Sequence, residues 1–210
     1  AAEDIVNGCT FDNNLPCIAE KEIVAVDSIA DELMHYMITE QGCYLASKEE
    51  QDALTEVVLK GGRLNRKCVG RDAKTLLGMI GVTVPDNIRC ITFEGPKEHP
   101  LIAEELMMPI LGVVRAKDFD DAVEQAVWLE HGNRHSAHIH SKNVDNITKY
   151  AKAIDTAILV KNGPSYAAIG FGGEGFCTFT IASRTGEGLT SASAFTKRRR
   201  CVMCDSLCIR

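Results

Sequence analysis

The stretch that decides how this chain folds reads FDNNLPCIAEKEIVAVDS and covers residues 11–28. Asn13 and Asn14 tolerate unusual backbone angles and the proline fixes the approach, so the first seven residues predict a shaped turn. The helix-like IAEK that follows places Cys17 in the first turn of a helix, where free backbone N–H groups stabilise a thiolate. The β-rich residues 22–28 then predict a strand.

A cysteine at such a position is a candidate nucleophile. Its thiolate can attack a carbonyl carbon, and its own backbone N–H can then face the oxyanion that forms. The alternative is a buried thiol at a helix start, because free cysteine is among the most buried residue types. The residues alone leave both interpretations open for Cys17.

Length and composition limit the function classes. A chain of 210 residues can bury a sizeable core, and it fits one domain or one domain with an appendage. The net charge of -6 argues against a nucleic-acid partner and favours a small-molecule substrate. We find no apolar run long enough to cross a bilayer and no secretory signal pattern. Nine cysteines, an odd number, favour a reducing compartment. We therefore expect a soluble cytoplasmic protein without a membrane partner.

Outward from residues 22–28, strand-like runs alternate with amphipathic stretches across short joints. This alternation predicts an α/β fold of three layers, an open and mainly parallel sheet with helices on both faces. Strands are predicted at residues 22–28, 82–85, 89–93, 110–115, 137–141 and 156–160. Ser28 and Ser47, each followed three residues later by an acidic residue, predict helix N-caps.

The character of the sequence changes from about Asn162. Residues 162–194 are rich in Gly, Ser and Thr, which predicts loops close to a site. The run GFGGEG at residues 170–175 resembles a phosphate-binding loop, but such a loop opens a helix and no helix pattern follows. We therefore do not interpret it as a nucleotide site.

Two clusters offer metal-binding alternatives. His131, His135, His138 and His140 lie close in sequence, but two of them alternate along a strand and two flank a GN turn, so exposed imidazoles are the favoured interpretation. At the other end of the chain, three thiols form CxxCxxxC and could hold zinc or an iron–sulfur cluster, although no fourth ligand is evident nearby. These thiols belong to Cys201, Cys204 and Cys208. The clusters support a non-catalytic metal-binding or assembly module as the alternative function, while our prediction is that no metal is bound.

Four segments in fixed order carry a family resemblance. They are FDNNLPCIAEKEIVAVDS at 11–28, EELMMPILGVVR at 104–115, TFTIASRTGEGLTS at 178–191 and FTKRRRCV at 195–202. Together they resemble the second half of a CoA-acylating aldehyde dehydrogenase, in particular the propionaldehyde and acetaldehyde dehydrogenases of bacterial microcompartments. The resemblance extends over essentially the whole chain.

The resemblance implies a domain plan. Residues 1–194 would form an aldehyde dehydrogenase catalytic domain with the thiol nucleophile, and residues 195–210 a C-terminal oligomerisation strand. The N-terminal cofactor-binding domain of the family would be absent from this chain. The full-length enzyme is then expected to be a homo-oligomer, and its expected location is the lumen of a bacterial microcompartment.

The resemblance also implies residue roles. Cys17 matches the catalytic cysteine, and Glu105 matches the glutamate that hydrogen-bonds the nicotinamide ribose. Met107 stands where the family usually has an aromatic residue against the nicotinamide ring. The implied reaction is the CoA-dependent oxidation of propionaldehyde or acetaldehyde with NAD, which gives acyl-CoA and NADH through a Cys17 thiohemiacetal and thioester.

Two further expectations concern the isolated chain. The family's oxyanion-binding asparagine and the glutamate base of its hydrolytic members lie in the other half, so we expect a reactive thiol here without competent hydride transfer. A hydrolytic aldehyde dehydrogenase is the nearer alternative, and it fits the microcompartment-like ends poorly. The remaining cysteines are interpreted as packing residues, namely Cys9, Cys43, Cys68, Cys90 and Cys177.

Overall fold

The computed structural model of the chain describes residues 1–178 and 189–204. Within these residues, seven α-helices and six β-strands follow one another along the sequence, and they alternate except at α3 and α4, which have no strand between them. The helices are α1 (Ala2–Thr10), α2 (Asp27–Thr39), α3 (Lys48–Val58), α4 (Ala73–Met79), α5 (Pro100–Ala103), α6 (Phe119–Leu129) and α7 (Val144–Ile154). The strands are β1 (Glu22–Val26), β2 (Cys43–Leu45), β3 (Cys90–Glu94), β4 (Ile110–Ala116), β5 (Ser136–Ile139) and β6 (Ile158–Lys161).

All strand pairs of the described residues are parallel, as predicted. Four strands form a sheet in the order β1-β4-β3-β2, in which Ile23 lies opposite Val113 and Ile91 opposite Ile110. The strands β5 and β6 form a separate pair. The prediction of one open sheet is therefore refined, because the edge of β1 and the edge of β5 are not hydrogen-bonded to each other.

Helices cover both faces of the four-stranded sheet, which confirms the three-layer architecture. Strand β4 illustrates the reason, since its side chains alternate between two apolar clusters. Leu111 and Val113 pack with residues of α1 and α2, whereas Ile110 and Val114 pack with residues of α3, α4 and α5. A strand buried on both faces needs a continuous apolar run, and β4 has one.

One of the two predicted helix N-caps is confirmed. Ser47 forms the predicted capping box, in which its Oγ accepts from the Glu50 N–H at 3.3 Å and its N–H donates to Glu50 Oε2 at 2.7 Å. The N-cap predicted at Ser28 is wrong, because α2 already begins at Asp27 and Val26 precedes it without a capping side chain. The strand predicted at residues 82–85 is also wrong, as these residues form no regular element.

The C-terminal strand stays a prediction. Among residues 189–204 the structure has a 3-10 turn at Ala192–Phe195, and residues 196–204 have no regular secondary structure. Residues 205–210 lie outside the described part of the chain. Within the described ranges, every helix is too short or too polar to cross a membrane.

Candidate active site

The loop that carries Cys17 has an unusual backbone. It follows α1 as a 3-10 turn at Phe11–Asn14, in which three consecutive residues have left-handed angles. Their φ values are 47° at Asp12, 51° at Asn13 and 65° at Asn14. Asparagine and aspartate are the non-glycine residues that adopt this region most readily. The predicted shaped turn is confirmed.

The helix predicted directly after this turn is wrong. Residues 16–19 form a single turn, which the Ala19 N–H closes by donating to the Pro16 carbonyl at 3.0 Å, and β1 begins at Glu22. The four residues IAEK are too few to nucleate a helix ahead of the β-branched run that follows. Cys17 therefore lacks a helix N-terminus. Its side chain is exposed, so the alternative of a buried thiol is also wrong.

A buried asparagine holds the loop on both sides of Cys17. Asn14 is 2% exposed, and its Nδ2 donates to the Cys9 carbonyl at 3.0 Å and to the Glu20 carbonyl at 2.7 Å. Both amide hydrogens are thus used on backbone oxygens that would otherwise be unsatisfied in the interior. Ile18, the neighbour of Cys17, is buried against β6 and the 3-10 turn at Ser165–Ile169. The thiol is exposed on a fixed backbone.

The structure brings Glu105 to the same turn. Lys21 Nζ lies 2.6 Å from Glu105 Oε1 and also donates to the Cys17 carbonyl at 3.5 Å. The Glu105 side chain is about half exposed. Met107 has a left-handed φ of 54°, and its carbonyl accepts from the Gly70 N–H at 2.9 Å. Asn13 Nδ2 donates to the Gly70 carbonyl at 3.1 Å, so Met107 is linked to the Cys17 loop through Gly70.

A cleft of about 880 Å³ opens between β1 and β5, which are not hydrogen-bonded to each other. Cys17, Lys21 and Glu105 line it together with His131 and His135, at the amino ends of the two strands. A cavity of this size accommodates a small organic ligand or part of a larger one. The candidate nucleophile therefore faces a space in which a substrate can bind.

His135, a member of the histidine cluster at residues 131–140, is a further residue of this site. Burial lowers its pKa, and the nearby Lys21 lowers it further, so the imidazole is neutral near pH 7. Its Nδ1 lies 3.1 Å from Ser136 Oγ, and its backbone N–H donates to Glu130 Oε1 at 3.0 Å. A neutral imidazole that lines the same cleft as a thiol can accept a proton from a group bound there. The available sequence signal was weak, namely that His135 directly precedes a strand, as the Cys17 turn does.

The other histidines do not join it in a metal site. His131 Nε2 lies 3.1 Å from the Ala103 carbonyl, and His140 Nδ1 lies 3.9 Å from Asp4. His138 is partly buried with its Nε2 shielded from solvent, and desolvation lowers its pKa to about 4. The prediction of exposed imidazoles is therefore confirmed for His131 and wrong for His135, His138 and His140, which are partly buried. Across residues 1–178 and 189–204, no three His, Cys, Asp or Glu side chains are arranged to hold a metal ion.

The remaining cysteines divide into buried and exposed thiols. Four of the five predicted packing residues are buried: Cys9, Cys43, Cys68 and Cys90. Cys177 is exposed, so its interpretation as a packing residue is wrong. Cys201 and Cys204 are exposed as well, and Cys208 lies outside the described residues. Nothing in the described part of the CxxCxxxC segment supports a metal-binding module.

The fold and the site define the class of protein. The profile of the aldehyde dehydrogenase family matches residues 87–194, about half of the chain, so the chain belongs to the aldehyde dehydrogenase family.

Curated relatives and solved structures narrow the likeness to the acylating branch of that family. The chain is 46% identical over 212 residues to the acetylating acetaldehyde dehydrogenase EutE of Salmonella typhimurium, covering 98% of this chain and 45% of the relative. It is 82% identical to a propionaldehyde dehydrogenase from the Clostridium phytofermentans fucose utilisation bacterial microcompartment, with a TM-score of 0.94 over 100% of this chain and 48% of the other. The chain thus spans about half the length of these relatives.

Further structures of such relatives bear on the site. A Rhodopseudomonas palustris propionaldehyde dehydrogenase with bound CoA and an acylated cysteine is 53% identical, with a TM-score of 0.92 over 96% of this chain and 46% of the other. One variant of the Clostridium phytofermentans enzyme has alanine in place of a cysteine at position 269, and another has alanine in place of a histidine at position 387. These two positions are 118 residues apart. Cys17 and His135 are also 118 residues apart.

Proposed function

We propose that this chain is the catalytic half of a CoA-acylating aldehyde dehydrogenase that oxidises propionaldehyde or acetaldehyde with NAD to the acyl-CoA. The observation that carries the proposal is an exposed cysteine on a rigid loop, with Glu105 and His135 lining the same cleft. The acylated cysteine and bound CoA of the Rhodopseudomonas palustris relative support the same chemistry.

The first steps take place on Cys17. Its thiolate adds to the aldehyde carbon, and a carbon–sulfur bond forms while the carbonyl π electrons move to oxygen. The Cys17 N–H faces that oxyanion. A bound NAD would supply the hydride acceptor, so that loss of a hydride from the same carbon leaves a thioester on Cys17.

His135 serves the second half of the reaction. The thiol of CoA attacks the thioester carbon, and the sulfur of Cys17 leaves as thiolate, so that the acyl group passes from one sulfur to another. The proton of the CoA thiol goes to the neutral imidazole of His135. The lowered pKa of His135 is consistent with this role, because a protonated imidazole could not accept the proton.

Glu105 and Met107 are proposed to meet the nicotinamide end of NAD. Glu105 lines the cleft with a half-exposed side chain, and Lys21 engages its Oε1. A half-exposed carboxylate can accept a hydrogen bond from a ribose hydroxyl through its second oxygen. Met107 supplies a flexible apolar side chain instead of an aromatic ring.

We extend the proposal to assembly and location. Residues 195–210 are proposed as an oligomerisation strand within a homo-oligomeric full-length enzyme, separate from the catalytic residues 1–194. The Clostridium phytofermentans relative comes from a bacterial microcompartment, which supports the lumen of such a compartment as the location. The hydrolytic and metal-binding alternatives have no specific observation in their favour.

The proposal is tested by acyl exchange, because transfer between two thiols requires no nicotinamide. The chain is incubated with propionyl-CoA, and the adducts are counted by intact mass and located by peptide mass spectrometry. We expect one propionyl group on Cys17, lost in Cys17→Ala and retained in Cys177→Ala, which removes another exposed thiol. Adducts that persist in Cys17→Ala, or that fall equally on Cys177, would overturn the proposal.

A further inference from the structure

Glu20 is a buried acid three residues after the candidate nucleophile. Its side chain is 5% exposed, and its Oε1 accepts a hydrogen bond from the Ser165 N–H at 2.9 Å. The two residues are 145 positions apart, so this bond joins the Cys17 turn to the 3-10 turn at Ser165–Ile169. Ser165 is buried too, at 1% exposure. A hydrogen bond between two groups so well shielded from water is costly to lose.

The same residue also contacts α1. The Glu20 carboxyl group lies so close to Gly8 that a Cβ added there would clash with Glu20 Oε2. A glycine in the interior of a helix lowers helix stability, and here its place is explained by the room it leaves for this carboxyl group. The Glu20 backbone carbonyl in turn accepts from Asn14 Nδ2. Glu20 thus meets three segments, namely α1, the Cys17 loop and the turn after β6.

Further contacts run in parallel between these segments. Phe11 at the start of the loop packs on Tyr166, with ring centroids 5.2 Å apart, and Ile18 packs with Ile169. These contacts are apolar and permit sliding, whereas the Glu20–Ser165 bond has a defined direction. The position of the Cys17 backbone relative to the cleft is therefore specified chiefly by Glu20 and Asn14.

We propose that Glu20 is a positioning residue, whose carboxyl group fixes the turn of Cys17 against α1 and the Ser165–Ile169 turn. This inference rests on the proposed function in one respect, namely that Cys17 is the nucleophile. Glu20 acts through the backbone of Cys17 and takes no part in the bonds that form or break.

The second carboxyl oxygen adds a dependence on pH. Oε2 is buried and has no hydrogen-bond partner among the described residues. Desolvation raises the pKa of Glu20 to about 7, although Ser165 partly offsets this effect. The ionisable groups that face the carboxyl group are Asp4 on α1 and Tyr166 on the Ser165–Ile169 turn, and the charge of Asp4 raises the pKa of Glu20 further. Above pH 7 the ionised carboxylate needs solvation that its packed site withholds, so the positioning weakens.

The test compares two reactions of Cys17 in the full chain. Acylation by propionyl-CoA depends on the position of the thiol, whereas alkylation by iodoacetamide depends chiefly on thiolate formation. The ratio of the acylation rate to the alkylation rate is therefore independent of the ionisation of the thiol itself. We measure it by peptide mass spectrometry from pH 6 to 8.5 in the parent chain and in Glu20→Gln, which keeps the size and the Oε1 acceptor. We expect the ratio to fall about tenfold across pH 7 in the parent and to change less in Glu20→Gln.

A second pair of variants removes the hydrogen bond without touching the acid. Ser165→Pro lacks the N–H donor, and proline suits this first position of a 3-10 turn, which follows an extended Pro164. Ser165→Ala is the matched control, since it retains the N–H. We expect Ser165→Pro to acylate about tenfold more slowly than Ser165→Ala at pH 6, with similar alkylation rates.

The outcomes separate this inference from the proposed function. Equal pH dependence in the parent and in Glu20→Gln, with equal acylation in the two Ser165 variants, would overturn the positioning role. A parent chain that alkylates at Cys17 but is not acylated there by propionyl-CoA would contradict the proposed function and with it this inference. Glu22→Gln controls for the desolvation of an acid in general, because desolvation raises the pKa of Glu22 to about 7 as well and Glu22 has no bond to Ser165.

Discussion

Strand β4 and the Cys17 loop are specified in opposite ways. In β4 almost every residue is buried, alternate side chains pack into two apolar clusters, and no single contact decides the strand's place. In the Cys17 loop, three consecutive left-handed residues are held by a few polar groups, chiefly Asn14 and Glu20. The sheet is thus overdetermined by apolar burial, whereas the site depends on individual hydrogen bonds.

The largest expected effect comes from the apolar side of this comparison. Phe93 on β3 is fully buried, and Phe93→Ala leaves a cavity in the cluster on the α3–α5 face. We expect a loss of about 4 kcal/mol in the free energy of unfolding. Urea titration followed by circular dichroism measures it, and Val144→Ala at a largely exposed position is the control. A loss below about 1 kcal/mol would show that the cluster is loosely packed.

This asymmetry explains what the sequence could reveal. The parallel three-layer fold follows from apolar runs such as residues 110–115, which carry their signal in every residue. The left-handed turn follows from the conformational tolerance of Asn13 and Asn14. The bond between Glu20 and Ser165 has no sequence signal, because it joins residues 145 positions apart. The helix predicted after Cys17 does not form, because the prediction rested on local helix propensity and the chain enters strand β1 at Glu22.

The proximity of Glu105 to Cys17 could be expected only from the family resemblance. Periodicity and composition gave no reason to join two residues 88 positions apart, and the expectation came from the family resemblance alone. His135 was visible as a histidine before a strand, but a histidine cluster suggested zinc before it suggested a proton acceptor. In each case the missing information was the tertiary arrangement of side chains from separate segments.

The second prediction concerns the pH dependence of the free energy of unfolding that arises from Glu20, which holds the Cys17 loop. The pKa of Glu20 is raised by burial from 4.5 to about 7, so below pH 4.5 both the folded and the unfolded chain bind the proton. Between pH 4.5 and 7 the unfolded chain releases the proton and the folded chain keeps it, so folding stability falls as pH rises. This group therefore lowers the free energy of unfolding by up to about 3 kcal/mol at pH 8 relative to pH 4.

Glu20→Gln removes that contribution. We expect the variant to lose less stability than the parent between pH 5 and 8 in urea titrations, with the difference approaching about 2 kcal/mol. The comparison with the parent cancels the opposite effect of His138, which has a lowered pKa and gains stability as pH rises toward 6.5. Parallel curves for parent and variant would mean that solvent reaches the Glu20 carboxyl group.

The third prediction compares how much the side chains of Asn13 and Asn14 contribute to stability. Asn14→Ala leaves the Cys9 and Glu20 carbonyls without their donor in the interior, and we expect a loss of about 2 kcal/mol. Asn13→Ala is the matched control, because it removes one bond, to the Gly70 carbonyl, at a less buried site. Urea titration gives stability, and acylation by propionyl-CoA reports on Cys17. Equal losses in both variants would contradict a special role of Asn14.

The smallest expected effect comes from the N-cap of α3, and it serves as a reference for the two regions. Ser47 caps α3 through a reciprocal pair of bonds with Glu50, so Ser47→Ala should lower the free energy of unfolding by about 1 kcal/mol. Ser28 has the same sequence signal but lies inside α2 without a capping bond, so Ser28→Ala should change stability by less than about 0.5 kcal/mol. Neither variant should alter acylation of Cys17 by propionyl-CoA. If Ser47→Ala slowed acylation as much as Asn14→Ala, the site would depend on global stability, and the contrast between the sheet and the loop would be lost.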